Sequence, residues 1–400
     1  MILKQDYPPA TRGTIVVWGL LGILPIGGLV WQVFHNLVPL RRLGFDVWYV
    51  EDSDRELYDP ETYAPTLDYA RYRANVERLG RHMAAIGFAQ RWAFRMPGTD
   101  TVIGATDRQG LDRIYREAVA GINLCGAQEF ADRHMAIPRR VYLETDPVRM
   151  QVLVAKGDAW AINLLDRHQW HYSYGGLFGR PECRVPLVRY NWRPTVPPVC
   201  LEFWADRPLP PRGAALSTIL NWQHSGKDIE WQGEAWHWSK DREFLRFIGL
   251  PARAKLPLEL CLGGASDAVR EDFVRHGWTV RRSIDYIEPD AYRDYILNSA
   301  GEFSAAKENV VASRSGWVSD RTVCYLAAGR PAIVQDTGIG GFLPTGEGLL
   351  TFATEDEALA AIDAVAGDYL RHADAARAIA RDHLDADRVI GRIVCDIGLG

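Results

Sequence analysis

The sequence predicts an α/β protein built as two Rossmann-like α/β/α lobes facing a central cleft. Short β-branched apolar runs alternate with helical periods from residue 14 almost to the end, a pattern that builds parallel sheets flanked by helices. A Pro-rich band at 193–211 interrupts that alternation near the middle. The 400 residues also suffice for two cores, at roughly 100–200 residues per domain.

The first unit is strand, turn, helix, strand. Residues 14–18 are β-branched and apolar, fit for a buried strand. The uncharged stretch 14–34 has the length of a membrane span, but Gly19, Gly22, Pro25, Gly27 and Gly28 break it as a helix. No small-residue cleavage pattern follows it, so a signal peptide is not expected either. Val30, Phe34, Val38 and Leu43 recur at roughly helical spacing, and Gly44 supplies the C-terminal stop. Residues 47–50 form the next strand, closed by Glu51 and Asp52, which completes a βαβ unit.

Helices are expected near 67–85 and 107–120, and strands at 91–94, 121–124 and 141–144. Within the Pro-rich band, 199–204 reads as a strand. The second half offers strands at 217–222, 258–262, 279–281, 332–335 and 349–352. Its helices fall at 241–248, 268–276, 291–298, 321–328 and 357–365, and a charged, Ala-rich helix runs from about 370 to the end. The division expected is a first lobe at 1–197, a second lobe at 198–375, and a terminal helical segment at 376–400.

A net charge of -5 argues against general nucleic-acid binding, which needs a basic footprint. The six cysteines form no C-x-x-C pair, which fits free thiols in a reducing, cytoplasmic setting. No metal-ligand cluster is legible. The assembly state is open, a homodimer being one option.

Chemistry concentrates at 313–338. Ser319 and Asp320 are good N-caps for a helix that Gly329 ends. The free N–H groups and partial positive charge of such a helix start suit a phosphate. Arg321 in the first turn is unfavourable for the helix alone and would be explained by an anion gripped by two hydrogen bonds. Lys307 can neutralise a diphosphate, and Trp317 stands beside the helix start. Asp336, Thr337 and Gly338 leave a strand end with polar groups suited to sugar hydroxyls. Gly27 and Gly28 precede the first helix without forming a dinucleotide fingerprint or a Walker motif. Candidate bases are His35 on the first helix, Asp146 at a strand end and His168 beside Trp170; Asp146 can instead cap a helix starting at Pro147.

These segments, PIGGLVWQ with RRLGFDVWYVED, and then SRSGWVSDRTVCYLAAGRPAIVQDTG, resemble the bacterial GT-B glycosyltransferases, related to the glycosyltransferase 1/4-like group. The C-terminal motif is the more specific, and 60–215 is the weakest part. The resemblance implies a nucleotide-diphosphate sugar as co-substrate, no obligatory metal, and a small-molecule hydroxyl or thiol acceptor in natural-product or glycoconjugate assembly. It places Lys307 and the loop Gly316, Trp317, Ser319, Asp320, Arg321 and Thr322 around the diphosphate, with Gly27 and Gly28 facing the donor across the cleft. Many retaining GT-B enzymes carry two glutamates eight positions apart here; this chain has Gly316 and Cys324 at those places. That departure leaves two alternatives standing, a GT-B nucleotide-sugar epimerase and a non-catalytic relative that binds a nucleotide sugar or a partner.

Overall fold

The computed structural model describes residues 5–59, 64–66, 69–205, 208–224 and 226–400. In the first half, β1 (Thr14–Trp18), α1 (Gly27–Arg42) and β2 (Asp46–Glu51) form the expected βαβ unit. A short hairpin, β3 (Leu57–Tyr58) with β4 (Pro65–Thr66), precedes α2 (Tyr69–Ala85), β5 (Trp92–Arg95), β6 (Val102–Gly104) and α3 (Arg108–Glu117). Then come β7 (Ala118–Leu124), β8 (Arg140–Glu144), α4 (Arg149–Ala155), α5 (Ala159–Asp166), β9 (Trp170–Ser173) and β10 (Trp192–Pro194). Eight strands make one sheet in the order β10-β9-β8-β7-β1-β2-β5-β6. Every pair is parallel except β5 with β6.

The second half begins with β11 (Leu216–Asn221), a hairpin of β12 (Ile229–Trp231) and β13 (Glu234–Trp236), α6 (Asp241–Leu245), β14 (Leu258–Gly263), α7 (Asp267–Arg275) and β15 (Thr279–Arg282). It continues with α8 (Pro289–Leu297), β16 (Gly301–Ser304), α9 (Glu308–Ser313), α10 (Asp320–Ala327), β17 (Ala332–Gln335) and β18 (Leu349–Phe352). Helices α11 (Glu355–Gly367), α12 (Tyr369–Ile379) and α13 (Ala386–Asp396) close the chain. Six parallel strands form the second sheet, β15-β14-β11-β16-β17-β18.

The uncharged stretch at 14–34 is divided as its glycines require, between β1, a loop and the first turns of α1. Among the described residues no helix is long and apolar enough to cross a membrane. Gly44 takes φ +87° just past α1, the left-handed stop a glycine permits. The helix expected at 67–85 appears as α2, its first two positions lying outside the described residues. The helix expected at 107–120 is shorter, because Ala118–Leu124 is taken by a strand paired with both β1 and β8. Residues 199–204 are not a strand. They form a 3₁₀ turn at Leu201–Phe203, and the following Trp204 packs against Trp31 of α1 with ring centroids 4.9 Å apart and planes tilted by 55°.

The chain crosses back at its end. Val199 bridges Asp385, α13 packs on α1, and Tyr172 of β9 donates to Asp396 at 2.9 Å. Helix α1 also meets α8 and α10, and Trp31 Nε1 donates to the Pro289 carbonyl at 3.0 Å. One apolar core consequently runs from the first sheet through α1 into α10 and α13, with a separate core beneath the far face of the second sheet.

Candidate active site

The carboxyl ends of the two sheets face each other across a cavity of about 460 Å³. This is the place where open parallel sheets put their ligands. From the first sheet come the loop after β1, Cys125 after β7, Glu144 at the end of β8 and Asp146 just beyond it. From the second come Asn221 at the end of β11, Lys307 after β16 and the start of α10.

The loop after β1 is fixed from below. Glu51, at the end of β2, accepts hydrogen bonds from Gly22 N–H at 2.7 Å, Ile23 N–H at 3.2 Å and the Tyr49 hydroxyl at 2.7 Å. This aims the start of α1 into the cavity with no side-chain cap on its N–H groups. Gly27 is required for a different reason from the one expected. A Cβ there would stand 2.4 Å from the Tyr286 carbonyl oxygen, so glycine lets the two lobes touch. Gly28 has ordinary space and lines the cavity.

On the other side of β8, Val148 is buried at φ 93°, ψ -53°. A β-branched residue in that region carries roughly 1–3 kcal/mol of strain. It is held by Val148 N–H donating to Gln151 Oε1 at 2.8 Å, while Gln151 Nε2 donates to Glu144 Oε2 at 2.8 Å. The bend puts both Asp146 and Arg149 on the cavity wall. Asp146 does not cap a helix. It pairs across the cleft with Lys307, Nζ to Oδ1, at 2.6 Å. Burial alone would raise this carboxyl, but Lys307, Lys227 and Lys240 outweigh it and hold Asp146 below the usual carboxylate range. Neighbouring Glu144 behaves oppositely. Burial pushes it up to about 8 against hydrogen bonds from Ser173 and Gln151, and its Oε1 has no partner.

The electrostatics of the second lobe's wall are set by lysines and indoles. Lys307 Nζ lies 3.8 Å from the Trp238 ring centroid and Lys227 Nζ lies 5.1 Å from it. Lys240 Nζ is 5.7 Å from the Trp317 ring, whose Nε1 donates to the Thr145 carbonyl at 2.9 Å across the cleft. Lys240 is 8% exposed, and its amine makes no hydrogen bond or ion pair among the described residues. Burial, with the nearby Arg321 and Lys307, depresses its amine well below the usual lysine range. A buried amine without a counter-ion is costly and is relieved by a bound anion. Six cationic side chains line the cavity, Arg55, Arg149, Lys227, Lys240, Lys307 and Arg321, against three acids, Glu144, Asp146 and Asp320. Burial also pushes Asp320 up to about 7, which leaves Asp146 as the acid of the three held below the usual carboxylate range.

Of the residues singled out from the sequence, Gly27, Gly28, Asp146, Lys307, Trp317, Ser319, Asp320 and Arg321 line the cavity. Ser319 caps α10, accepting from Arg321 N–H, and Asp320 accepts from Gln32 Nε2 of α1 at 2.8 Å. Arg321 needs correction. Its guanidinium turns inward, donating to Glu302 Oε1 at 2.6 Å, the Ile219 carbonyl at 2.7 Å and Ser304 Oγ at 2.7 Å. That internal ion pair explains an arginine in the first turn of α10 without any ligand.

Gly316, Thr322, Asp336, Thr337 and Gly338 do not reach the cavity. Gly316 has φ +73°, and a Cβ there would stand 2.7 Å from Leu177 N. A Cβ on Gly338 would meet Leu177 Cδ1 at 2.4 Å. Thr337 Oγ1 donates to the Trp317 carbonyl, and Asp336 Oδ1 accepts from Gly338 N–H. These residues form the seam on which loop 174–177 of the first lobe rests, with Gly175 bridging Trp317. Thr322, in the first turn of α10, is buried.

His35 and His168 are also elsewhere. His35 is 1% exposed inside α1's interface, accepting from Cys200 N–H at 3.1 Å, and burial drives it down to about 3. His168 lies under β7, against Asn123 and the Leu164 carbonyl, and burial with nearby His171 takes it to about 3 as well. Both are neutral core histidines. Sequence reasoning missed Lys227, Lys240, Arg55 and Arg149. The run Trp236-His-Trp238-Ser-Lys240 was the available signal, since it sets indoles and an amine at alternate positions just before α6. Among the described residues no group of three or more His, Cys, Asp or Glu side chains is placed to hold a metal ion.

The backbone as a whole matches solved glycosyltransferases. An alpha-glucosyltransferase in complex with UDP and a DNA containing a HMU base superposes with a TM-score of 0.57 at 11% identity, covering 96% of this chain and 99% of that one. AviGT4, a glycosyltransferase involved in avilamycin A biosynthesis, gives 0.55 at 10% identity, covering 96% and 97%. Anabaena HepE in complex with UDP and glucose gives 0.52 at 13%, covering 96% and 99%. The chain has the GT-B fold. No protein-family model matches it, and no curated protein matches it in sequence. In this GT-B frame, the lysine-rich wall belongs to the second lobe and the strained Asp146–Arg149 bend to the first.

Proposed function

We propose that this protein is a glycosyltransferase that moves a sugar from a nucleotide-diphosphate donor to a small-molecule hydroxyl or thiol. The observation that carries this reading is the cluster of Lys227, Lys240 and Lys307, with the amine of Lys240 buried and without a counter-ion, inside the cleft of a GT-B fold. Such a wall suits a diphosphate, whose charge grows as the bond to the sugar breaks. The UDP seen with the alpha-glucosyltransferase and with HepE supports a uridine nucleotide as the first donor to try. The division of labour that follows is a donor lobe at 198–375, an acceptor-side lobe at 1–197, and a 376–400 segment that returns to α1. Six free thiols support a reducing, cytoplasmic setting.

In the reaction, the acceptor oxygen or sulfur forms a bond to the anomeric carbon. The carbon–oxygen bond to the diphosphate breaks, and its electron pair leaves with the phosphate. The lysines and the open N–H groups at the start of α1 hold the leaving group. Asp146 takes the acceptor proton. Its basicity is suppressed while Lys307 pairs with it, and rises when Lys307 turns to the diphosphate. A base in reach of the acceptor typically contributes 10²–10⁴-fold.

Thermal denaturation with nucleosides, nucleotide diphosphates and nucleotide sugars tests the reading. A diphosphate present at 100 times its Kd adds about 2.7 kcal/mol to apparent stability. Nucleosides should give no comparable shift. If no nucleotide diphosphate or nucleotide sugar stabilises the protein at millimolar concentration, the donor-site reading fails.

A further inference from the structure

The cavity extends beyond the lysine wall along the first lobe, and that extension is chemically different. Trp160 of α5 lines it while 43% exposed, its Nε1 tethered to Glu129 Oε1 at 3.1 Å. Met150 and Leu164, both buried, continue the same apolar wall. An exposed indole set in a cavity is ready-made contact area for an apolar ligand.

Two arginines share this extension, and neither has a carboxylate partner. Arg55 donates from Nη2 to the Gly126 carbonyl at 2.8 Å and forms no ion pair among the described residues. Arg149 makes no hydrogen bond or ion pair among them, and its Nε is buried without a partner. Both stand close enough to the Tyr142 hydroxyl, on the cavity wall, to act on its charge. Gly126 joins the group structurally. It sits at φ +65°, where a Cβ would come 3.3 Å from both the Tyr142 hydroxyl and Leu164 Cδ2.

The other cations on the cavity wall belong to the second lobe, although Lys227 stands near enough to Arg149 to feel its charge. Arg321 is neutralised by Glu302, and the three lysines gather at Trp238 and Trp317 on the opposite lobe. The Arg55–Arg149 pair is therefore the acceptor-side share of the cavity's positive charge. A planar guanidinium with open N–H groups selects anionic oxygens in pairs, as a carboxylate presents them.

We propose that the acceptor is an amphipathic acid, its apolar body against Trp160, Met150 and Leu164 and its carboxylate between Arg55 and Arg149, leaving a hydroxyl or thiol toward Asp146. This rests on the glycosyl-transfer reading for the reaction but not for the binding. The arginines position the acceptor and do not themselves take part in bond making.

The test uses the full chain and matched probes: hydroxylated aromatic and alicyclic carboxylates, each beside its own carboxamide, with UDP as a separate ligand. Binding is read by calorimetry. Carboxylates should bind about tenfold or more tighter than their amides, the size of one charge-assisted hydrogen bond. Arg55→Gln and Arg149→Gln should each erase most of that preference while UDP affinity stays within about twofold. A wild-type arm needs no variant. The preference should vanish as the probe carboxylate protonates below about pH 4. Amides binding as well as acids would overturn the proposal. So would a preference that survives both substitutions, or UDP binding with no acid in the panel bound. Loss of UDP affinity in Arg149→Gln would overturn it too, assigning that arginine to the diphosphate. Acids that bind to a protein indifferent to every nucleotide would instead sink the glycosyl-transfer reading and leave the acid site standing.

Discussion

Replacing Lys240 with methionine separates a ligand-binding role from a packing role, because the two predict opposite signs. The side chain is 8% exposed, beside the Trp317 ring, with Arg321 and Lys307 as like-charged neighbours and Asp146 and Glu302 as the nearby acids. In the unliganded protein its amine is a liability. Methionine matches its length and removes a buried group that has no partner, so stability should hold or rise. A bound diphosphate reverses the balance, since a hydrogen bond to a charged group contributes about 1.5–3 kcal/mol. Lys240→Met should therefore weaken UDP binding roughly 10- to 150-fold without lowering Tm. A proton signature accompanies this. The free amine titrates below the usual lysine range, and an adjacent anion raises it. Between the free and bound values, binding takes up a proton, and affinity falls as pH rises through the bound value. Calorimetry in buffers of different ionisation heat measures the uptake, which the variant should lose. A variant that binds UDP as the native protein does, but melts several degrees lower, would refute the reasoning and leave Lys240 a packing residue.

Two further substitutions test the site's supports. Arg321→Met leaves Glu302 buried and uncompensated, with Oε2 already lacking a partner. It should cost about 3–5 kcal/mol in urea unfolding, most of which Arg321→Met with Glu302→Leu recovers; an unchanged midpoint in the single variant would show that the pair does not stabilise the lobe. Glu144→Gln tests the raised carboxyl. Burial lifts Glu144 from 4.5 to about 8, so its neutral form contributes stability that is fully present below about pH 4.5 and lost as pH rises through about 8. The glutamine variant should remove that part of the decline between those limits, and parallel stability–pH curves for the two proteins would contradict the assignment.

The fold was legible because local signals and global topology agree in this chain. The break in 14–34, the stop at Gly44 and the strands at 332–335 and 349–352 follow from residue chemistry that no tertiary contact overrides. Legibility failed where pairing decided the outcome. Residues 118–120 read as the end of a helix, yet Ala118 and Ala120 are drawn into β7 by pairing with Thr14 and Ile15. Strands β9 and β10, at the sheet's edge, are short and aromatic and carry little period-2 pattern. The site was legible in position but less so in membership. Helix α10, Lys307 and Asp146 were found because strand ends and helix starts are visible in a sequence. Lys227, Lys240, Arg55 and Arg149 were not, since a lone lysine or arginine gives no sign of whether it will face a cleft.

Arg321 and Lys240 make the physical point most sharply. Read along the chain, Arg321 has the better credentials: a cation at the start of a capped helix, where only an anion would excuse it. In space the anion is Glu302, at 2.6 Å, one strand away. Lys240 has no credentials in sequence, yet it is the amine left without a counter-charge. The fold has already spent the arginine's charge on the interior and kept the lysine's available at the cleft. Charge that is satisfied inside the protein has little left to offer a ligand, whereas charge that is buried and unsatisfied gains by binding one. On that criterion the anion site we propose for this GT-B protein centres on Lys240, with Lys227 beside it, Lys307 shared with Asp146, and Arg321 holding the floor beneath it.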